Sequence, residues 1–418
     1  MKRVFLFALV SVSLASTAQV TKRVLFLGNS LTYVNNLPQM IADAALSTGD
    51  ILIFDSYCPG GYKLYQHYAD VNTRNKIMMG NWDYVVLQDQ SLLPATDTAS
   101  VNFAVFPYAF KLDSMINQYN PCCETMFYMT WGYKNGCAGC FSSWPYVETY
   151  EGMDSLLNLR YRMMADSNHA VVSPVGAVWH YIRDNFPLID LYQADEIHPS
   201  VAGTYAGACS FYSALFRKDP ALITFNASLS PGDALNIRNS AKVVVYDSLL
   251  NWNVGLYDVV SDFSYAYLSG NTFQFTNLSQ NATAQLWDFG TDTDTSANPV
   301  HTFPGTGPYT VQLISFTACD TDTFTQVISA SGIAEYNSAQ LHMYANPASD
   351  ELIIEGPSLN GRAELEIFNL SGERILNTPL NAKAHRVILD ATRMNNGVYF
   401  IRIKCNAFAA TKKFVVQR

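Results

Sequence analysis

Basic charge is in short supply in this chain. Its 26 Lys and Arg residues are outnumbered by 35 Asp and Glu, which leaves a formal charge of −9 over 418 residues. Nucleic-acid binding is driven by basic surface, so this balance argues against that class. Charged residues of both signs together reach only 15%, whereas 49% of the chain is apolar. That composition supplies sizeable cores, and the length predicts two or three domains. Long apolar runs are also missing. Beyond the N-terminus no segment offers the roughly 20 uninterrupted apolar residues of a membrane-spanning helix. The N-terminal run is short: Lys2 and Arg3 precede apolar residues from Val4 to about Ala15, then Ser16-Thr17-Ala18. This is the pattern of a secretory signal over residues 1–18, and it predicts export of a mature chain with no transmembrane segment.

Cysteine and histidine do not assemble into a metal pattern. Cys122, Cys123, Cys137 and Cys140 cluster, while Cys58, Cys209, Cys319 and Cys405 are scattered. Cys137-Ala138-Gly139-Cys140 has the spacing of a redox or zinc pair, but no His or second spaced pair completes a zinc set. In an exported chain, one or two local disulfides are the simpler expectation. Neither metal nor cofactor is expected.

What is present is alternation. Val24–Leu27, Ile51–Tyr57, Tyr84–Gln88, Thr125–Thr130 and Val171-Val172 read as strands. Between and after them, helical stretches are expected around Leu37–Leu46, Phe103–Ile116, Tyr150–Ala165 and into Trp179–Ile182. Strands alternating with helices imply a parallel sheet covered on both faces. Ser230-Pro231 reads as a helix start, with Ile237, Ala241, Val244, Val245, Leu249 and Trp252 on one face of that closing helix. After about Tyr257 the texture changes to short strand-like runs between Thr, Ser, Asn and Asp. The domains expected are 19–256, a β-sandwich over 257–331, a linker at 332–340 and a second β unit at 341–418.

Two distant segments carry chemistry. Gly28-Asn29-Ser30-Leu31 ends the first strand, and Asp195-Glu196-Ile197-His198-Pro199 lies near the end of the same domain. A serine hydroxyl becomes a nucleophile only when a base takes its proton, and the base works best when a carboxylate orients it. In open parallel sheets, ligands sit beyond the carboxyl ends of strands, where Ser30 falls.

These blocks resemble those of the SGNH, or GDSL-type, hydrolases. The resemblance implies a three-layer α/β/α, flavodoxin-like parallel sheet with Ser30 as nucleophile, His198 as general base and Asp195 as its orienting acid. The oxyanion donors it implies are the Ser30 amide, the amide of Gly61 in Pro59-Gly60-Gly61-Tyr62 (with Gly60 as fallback), and a side-chain amide in a third block. That block departs from the family: Gln88-Asp89-Gln90-Ser91 stands where Gly-x-Asn-Asp is usual. Gln90 aligns with the Asn and Gln88 with the Gly. A Gln-led block resembles a subgroup that includes carbohydrate O-acetylesterases, so the substrate implied is an acyl ester, acetyl above all, on carbohydrate. A lipid esterase, a thioesterase or a non-catalytic surface binding protein are the alternatives. His67, His180, His169 and Trp131 are read as structural, with His67 and Trp131 also open to a pocket-lining role.

The second unit resembles a PKD domain through Trp287-Asp288-Phe289-Gly290 and Asn298-Pro299-Val300-His301-Thr302-Phe303. Asp292 and Asp294 alternate there like calcium ligands but lack a complete loop, and read as turn residues. The last unit resembles the C-terminal sorting domain of type IX secretion through Tyr344-Ala345-Asn346-Pro347-Ala348, Asn369-Leu370-Ser371-Gly372 and Asn396-Gly397-Val398-Tyr399. Both resemblances imply small immunoglobulin-like sandwiches. The second implies passage through the secretion machinery to the cell surface or medium.

Overall fold

The computed structural model describes residues 19–140, 143–305 and 307–329, together with the strands of 342–417 and some residues beside them. The expected secretory segment 1–18 and linker 332–340 lie outside the described residues. The chain divides into two compact units, Met1–Asp258 and Val259–Arg418.

The first unit is built on five strands, β1 (Thr21–Leu27), β2 (Ile51–Tyr57), β3 (Tyr84–Leu87), β4 (Glu124–Tyr128) and β5 (Val171–Ser173). Val24, Leu25, Phe26 and Leu27 are all fully buried, as are Val85 and Leu87. Such continuous apolar strands need cover on both faces, which a parallel sheet with crossover helices provides. All four pairings are parallel, in the order β2-β1-β3-β4-β5. This is the flavodoxin-like order, and its topological switch point lies between β1 and β3.

The helices are α1 (Ser30–Tyr33), α2 (Leu37–Leu46), α3 (Leu64–Ala69), α4 (Val71–Met78), α5 (Thr98–Ala104), α6 (Phe106–Tyr119), α7 (Tyr150–Ser167), α8 (Val175–Asn185), α9 (Val201–Phe216) and α10 (Pro231–Val244). Helix α9 packs against α2, α8 and α10 and is buried along nearly its whole length. It has no polar face, so amphipathic periodicity gives no sign of it. Helix α10 starts as expected, with Ser230 Oγ accepting from the Asp233 N–H at 3.1 Å. It does not run on to Trp252: it stops at Val244, and a 3-10 segment, Tyr246–Trp252, carries the buried Trp252. No described helix is long and apolar enough to cross a membrane.

The second unit is made of antiparallel strands. One sheet orders Val300–Thr302, Thr272–Asn277 and Phe263–Ser269; another orders Thr321–Ile328, Tyr309–Phe316, Ala284–Asp288 and Thr293–Asp294. Their core is aromatic, with Phe263, Phe273, Phe275, Trp287 and Phe303 buried together. Asp288 accepts from the Gly290 N–H at 2.7 Å, which closes the turn after Trp287. Asp294 likewise caps its own turn at the Ser296 N–H, at 2.7 Å. The C-terminal strands form two further sheets, one around Glu351–Glu355 and one ordering Arg374–Leu380, Ala363–Asn369, Gly397–Cys405 and Ala409–Val416. Leu352, Leu365, Ile367, Ile401 and Phe414 form their core.

Candidate active site

Strand β1 delivers the chain to the switch point, and Gly28 lets it turn there. A Cβ on Gly28 would come within 2.5 Å of Thr32 Oγ1 and 2.6 Å of Gln88 Oε1. That space is taken by the Gln88 carboxamide, whose oxygen accepts from the Asn29 N–H at 2.8 Å and the Thr32 hydroxyl at 3.0 Å. The Gln88 amide nitrogen donates to the Asp89 carbonyl. Beneath the turn, fully buried His67 bonds the Gly28 carbonyl through Nε2 at 2.8 Å. A carbonyl only accepts, so Nε2 carries the proton and Nδ1 accepts from Thr73 Oγ1 at 3.0 Å. Burial lowers the pKa of His67, with the Gly28 bond opposing, and this favours the neutral ring. Asn29 caps α1 by accepting from the Leu31 N–H at 3.1 Å, and its amide nitrogen reaches the Tyr62 carbonyl at 2.8 Å.

Ser30 is the first residue of α1 and half-buried. Its Oγ lies 2.9 Å from His198 Nε2, and His198 Nδ1 lies 2.5 Å from Asp195 Oδ2. The three side chains therefore form one hydrogen-bonded line. Asp195 Oδ1 also accepts from the N–H groups of Ile197 and His198, at 3.1 and 3.0 Å. Burial pushes the Asp195 carboxyl up, but the His198 ring and these two amides outweigh it and hold the group below its usual range. The side chains of His198 and Asp195 remain 29% and 45% exposed, so water reaches the line.

The loop that carries His198 is fixed from several sides. Glu196 adopts a left-handed backbone, φ 63°. Its carbonyl accepts from the Lys134 N–H at 3.0 Å, and its carboxylate accepts from Asn135 at 2.8 Å. Trp131 donates from Nε1 to the Ile197 carbonyl at 3.1 Å while its ring stacks on Trp179 at 3.8 Å. Trp131 is 1% exposed and so supports the loop from inside the core.

The second and third blocks approach the same turn. Gly61 takes φ +70°, a conformation glycine accepts readily, in the turn that Asn29 holds through Tyr62. Gln90 follows β3, is half-buried, and donates to Tyr133 Oη at 3.3 Å while its amide oxygen accepts from the Leu93 N–H at 3.1 Å. An amide nitrogen carries two hydrogens, so a second donor remains on that group. Gln88 is fully buried and committed to the turn that carries Ser30. Asp89 between them is also fully buried. Its Oδ1 accepts from the N–H groups of Gln90 at 2.7 Å and Leu64 at 3.3 Å, and its Oδ2 has no partner among the described residues. Burial pushes this carboxyl up to about 7. The roles of Gln88, Asp89 and His67 depend on β1, β3 and α3 lying side by side, which no local pattern reveals.

Cys137 and Cys140 form a disulfide with their Cα atoms 5.5 Å apart. Cys58, Cys123 and Cys209 are free thiols. His180 pairs with Asp154 at 2.8 Å, and His169 packs edge-on against Tyr257. Among the described residues no group of three or more His, Cys, Asp and Glu side chains is placed to hold a metal.

Residues 342–417 match the secretion system C-terminal sorting domain family. The tail marks the protein for export to the cell surface or the medium. No curated protein sequence matches the chain. Among solved structures, a DUF4886 family protein from Bacteroides uniformis is 18% identical, covering 55% of this chain and 95% of its own, with a TM-score of 0.48. A protein of Slackia heliotrinireducens assigned to the SGNH hydrolases is 26% identical over 46% of this chain and 98% of its own, TM-score 0.38. The PKD1 domain of a Vibrio cholerae metalloprotease is 30% identical over 18% of this chain and 99% of its own, TM-score 0.17.

Proposed function

We propose that the first unit is an exported serine esterase that removes acyl groups, acetyl above all, from carbohydrate. The observation that carries this reading is the unbroken line from Ser30 Oγ through His198 to Asp195. Ser30 Oγ attacks the ester carbonyl while His198 Nε2 takes its proton. Asp195 holds the ring with Nε2 facing Ser30 and stabilises the imidazolium that forms. The amides of Ser30 and Gly61 and the Nε2 of Gln90 receive the oxyanion. His198 then returns the proton to the departing alcohol. Water attacks the acyl-serine with His198 as base, releasing the acid and free Ser30. The exposure of His198 and Asp195 suits that second step, which needs water at the ring.

Domain roles follow from the same reading. Residues 19–256 perform the chemistry, 257–331 act as a PKD-like spacer, and 341–418 engage the type IX machinery. The preference for carbohydrate draws on the Gln-led third block of the resembled subgroup.

Gln90 supplies the experiment. Gln90→Ala is expected to lower kcat on p-nitrophenyl acetate by about 10²–10³-fold, the usual worth of one oxyanion donor. Its melting temperature should stay close to the parent's, because Gln90 is only half-buried. An unchanged kcat would remove Gln90 from the site. Within an acyl series on p-nitrophenol, acetate should exceed octanoate in kcat/KM; the reverse order would favour a lipid esterase.

A further inference from the structure

A groove of about 460 Å³ is lined mainly by residues within 35–43, in the segment that follows Ser30, and within 225–228, with Val201 the one lining residue from the segment that follows His198. We infer that this groove binds a neutral saccharide, the alcohol side of the ester. The inference rests on the esterase reading for its purpose, though not for its chemistry. The volume is in the range of small-molecule sites. Asn35 ties this lining to the His198 loop: its amide nitrogen donates to the carbonyl of Pro199, next to His198, and to Thr204 Oγ1, both at 2.9 Å. The groove is thus registered against the base-bearing loop by a direct bond.

Its lining suits a sugar. Asn36 offers an amide, Gln39 and Asp43 an amide–carboxylate pair in which Gln39 Nε2 donates to Asp43 Oδ1 at 2.8 Å and the Gln39 oxygen and Asp43 Oδ2 remain to accept, while Met40 and Phe225 offer apolar surface. Hydroxyl groups need the first kind of partner and C–H faces the second. Asp43 is the one charged residue of the lining and no cation accompanies it, so an anionic ligand would be repelled. The far wall is held in place: Tyr205 Oη donates to the Phe225 carbonyl at 2.6 Å, and Arg238 bonds both Tyr205 Oη at 3.1 Å and Asn226 Oδ1 at 2.6 Å. Walls fixed before binding spare the ligand the cost of ordering them. Four lining residues, Asn35, Asn36, Ala227 and Ser228, are left-handed without being glycine, with φ of 53°, 53°, 49° and 65°. Backbone held in such sparsely populated conformations clusters at ligand sites.

The test uses full-length protein carrying Ser30→Ala, titrated by calorimetry with xylotetraose, cellotetraose, mannotetraose and the anionic tetragalacturonate. At least one neutral tetrasaccharide should bind, and adding Gln39→Ala and Asp43→Ala should weaken that binding tenfold or more. Phe225→Ala, on the opposite wall, should weaken it as well. In the Ser30 background, the same pair of substitutions should lower the ratio of kcat/KM for the acetylated tetrasaccharide over p-nitrophenyl acetate about tenfold. Absence of binding by every neutral probe, binding untouched by the wall substitutions, or tighter binding of tetragalacturonate would each overturn the inference. A chain that binds saccharide through this groove yet hydrolyses no ester would leave the groove standing and sink the esterase reading instead.

Discussion

Ser30→Ala is expected to lower the kcat for ester hydrolysis by about a millionfold, to the level left by substrate binding and the oxyanion donors alone. His198→Ala should cost about as much, and the double variant no more than either single one. Groups that act as one unit are not additive, because removing the nucleophile leaves the base with no proton to take. Asp195→Asn should lose less, about 10⁴-fold: the side chain still fits between the Ile197 and His198 amides but presents a donor to Nδ1 and so favours the wrong tautomer. Folding should survive all three changes, since Asp195 is exposed and Ser30 and His198 are half-buried at the surface of the switch point. Stopped assays on p-nitrophenyl acetate, with thermal melts in parallel, check both statements. Equal rates for the parent and Ser30→Ala would end the esterase account.

The second large effect is on stability and comes from Asp89. The folded chain holds the proton on this buried carboxyl until about pH 7, whereas the unfolded chain gives it up near the ordinary value of 3.8. Between those values the native state binds more protons than the unfolded state. Stability contributed at Asp89 is therefore full at about pH 4, falls as pH rises, and levels off above about pH 7. The loss is on the order of 4 kcal/mol over that window. Asp89→Asn removes the titration while keeping an oxygen for the N–H groups of Gln90 and Leu64. Urea unfolding at pH 4.5, 6 and 8 should show the variant gaining on the parent as pH rises. Parallel curves would show that Asp89 does not titrate in this window. Carboxyls with a depressed pKa, such as Asp195, lose their stabilising share only below the ordinary carboxylate range and so leave this window nearly flat; the difference between the two proteins is the quantity to read.

Strands β1 and β3 announce themselves because a strand buried on both faces must be apolar, as in Val24–Leu27 and Tyr84–Leu87, whereas the edge strand β2 is only partly buried and carries Asp55 and Ser56. Helix α2 shows its ends because Pro38 opens it and Ser47-Thr48-Gly49 closes it. Helix α9 hid because its Ala, Gly, Ser and aromatic residues face protein on every side. At the site, residue type and order were enough to expect Ser30 beside His198, and the structure brings them to 2.9 Å. The clamp beneath the Ser30 turn is not legible in the sequence. Gln88 reaches Asn29 and Thr32 only because β3 pairs in register with β1, Leu27 opposite Leu87, and Gly28 leaves the room. That relation is a property of the assembled sheet. It also recasts the departure in the third block: Gln88, standing where glycine is usual, fills space that Gly28 vacates.

The central claim is that Ser30 is a nucleophile activated by His198, and covalent labelling tests it without assuming any substrate. Full-length protein would be treated with a fluorophosphonate and its peptides mapped by mass spectrometry. The account predicts one adduct, on Ser30, formed quickly in the parent, slowly in His198→Ala and not at all in Ser30→Ala. A folded parent that takes no label at Ser30, or takes it equally fast without His198, would contradict it.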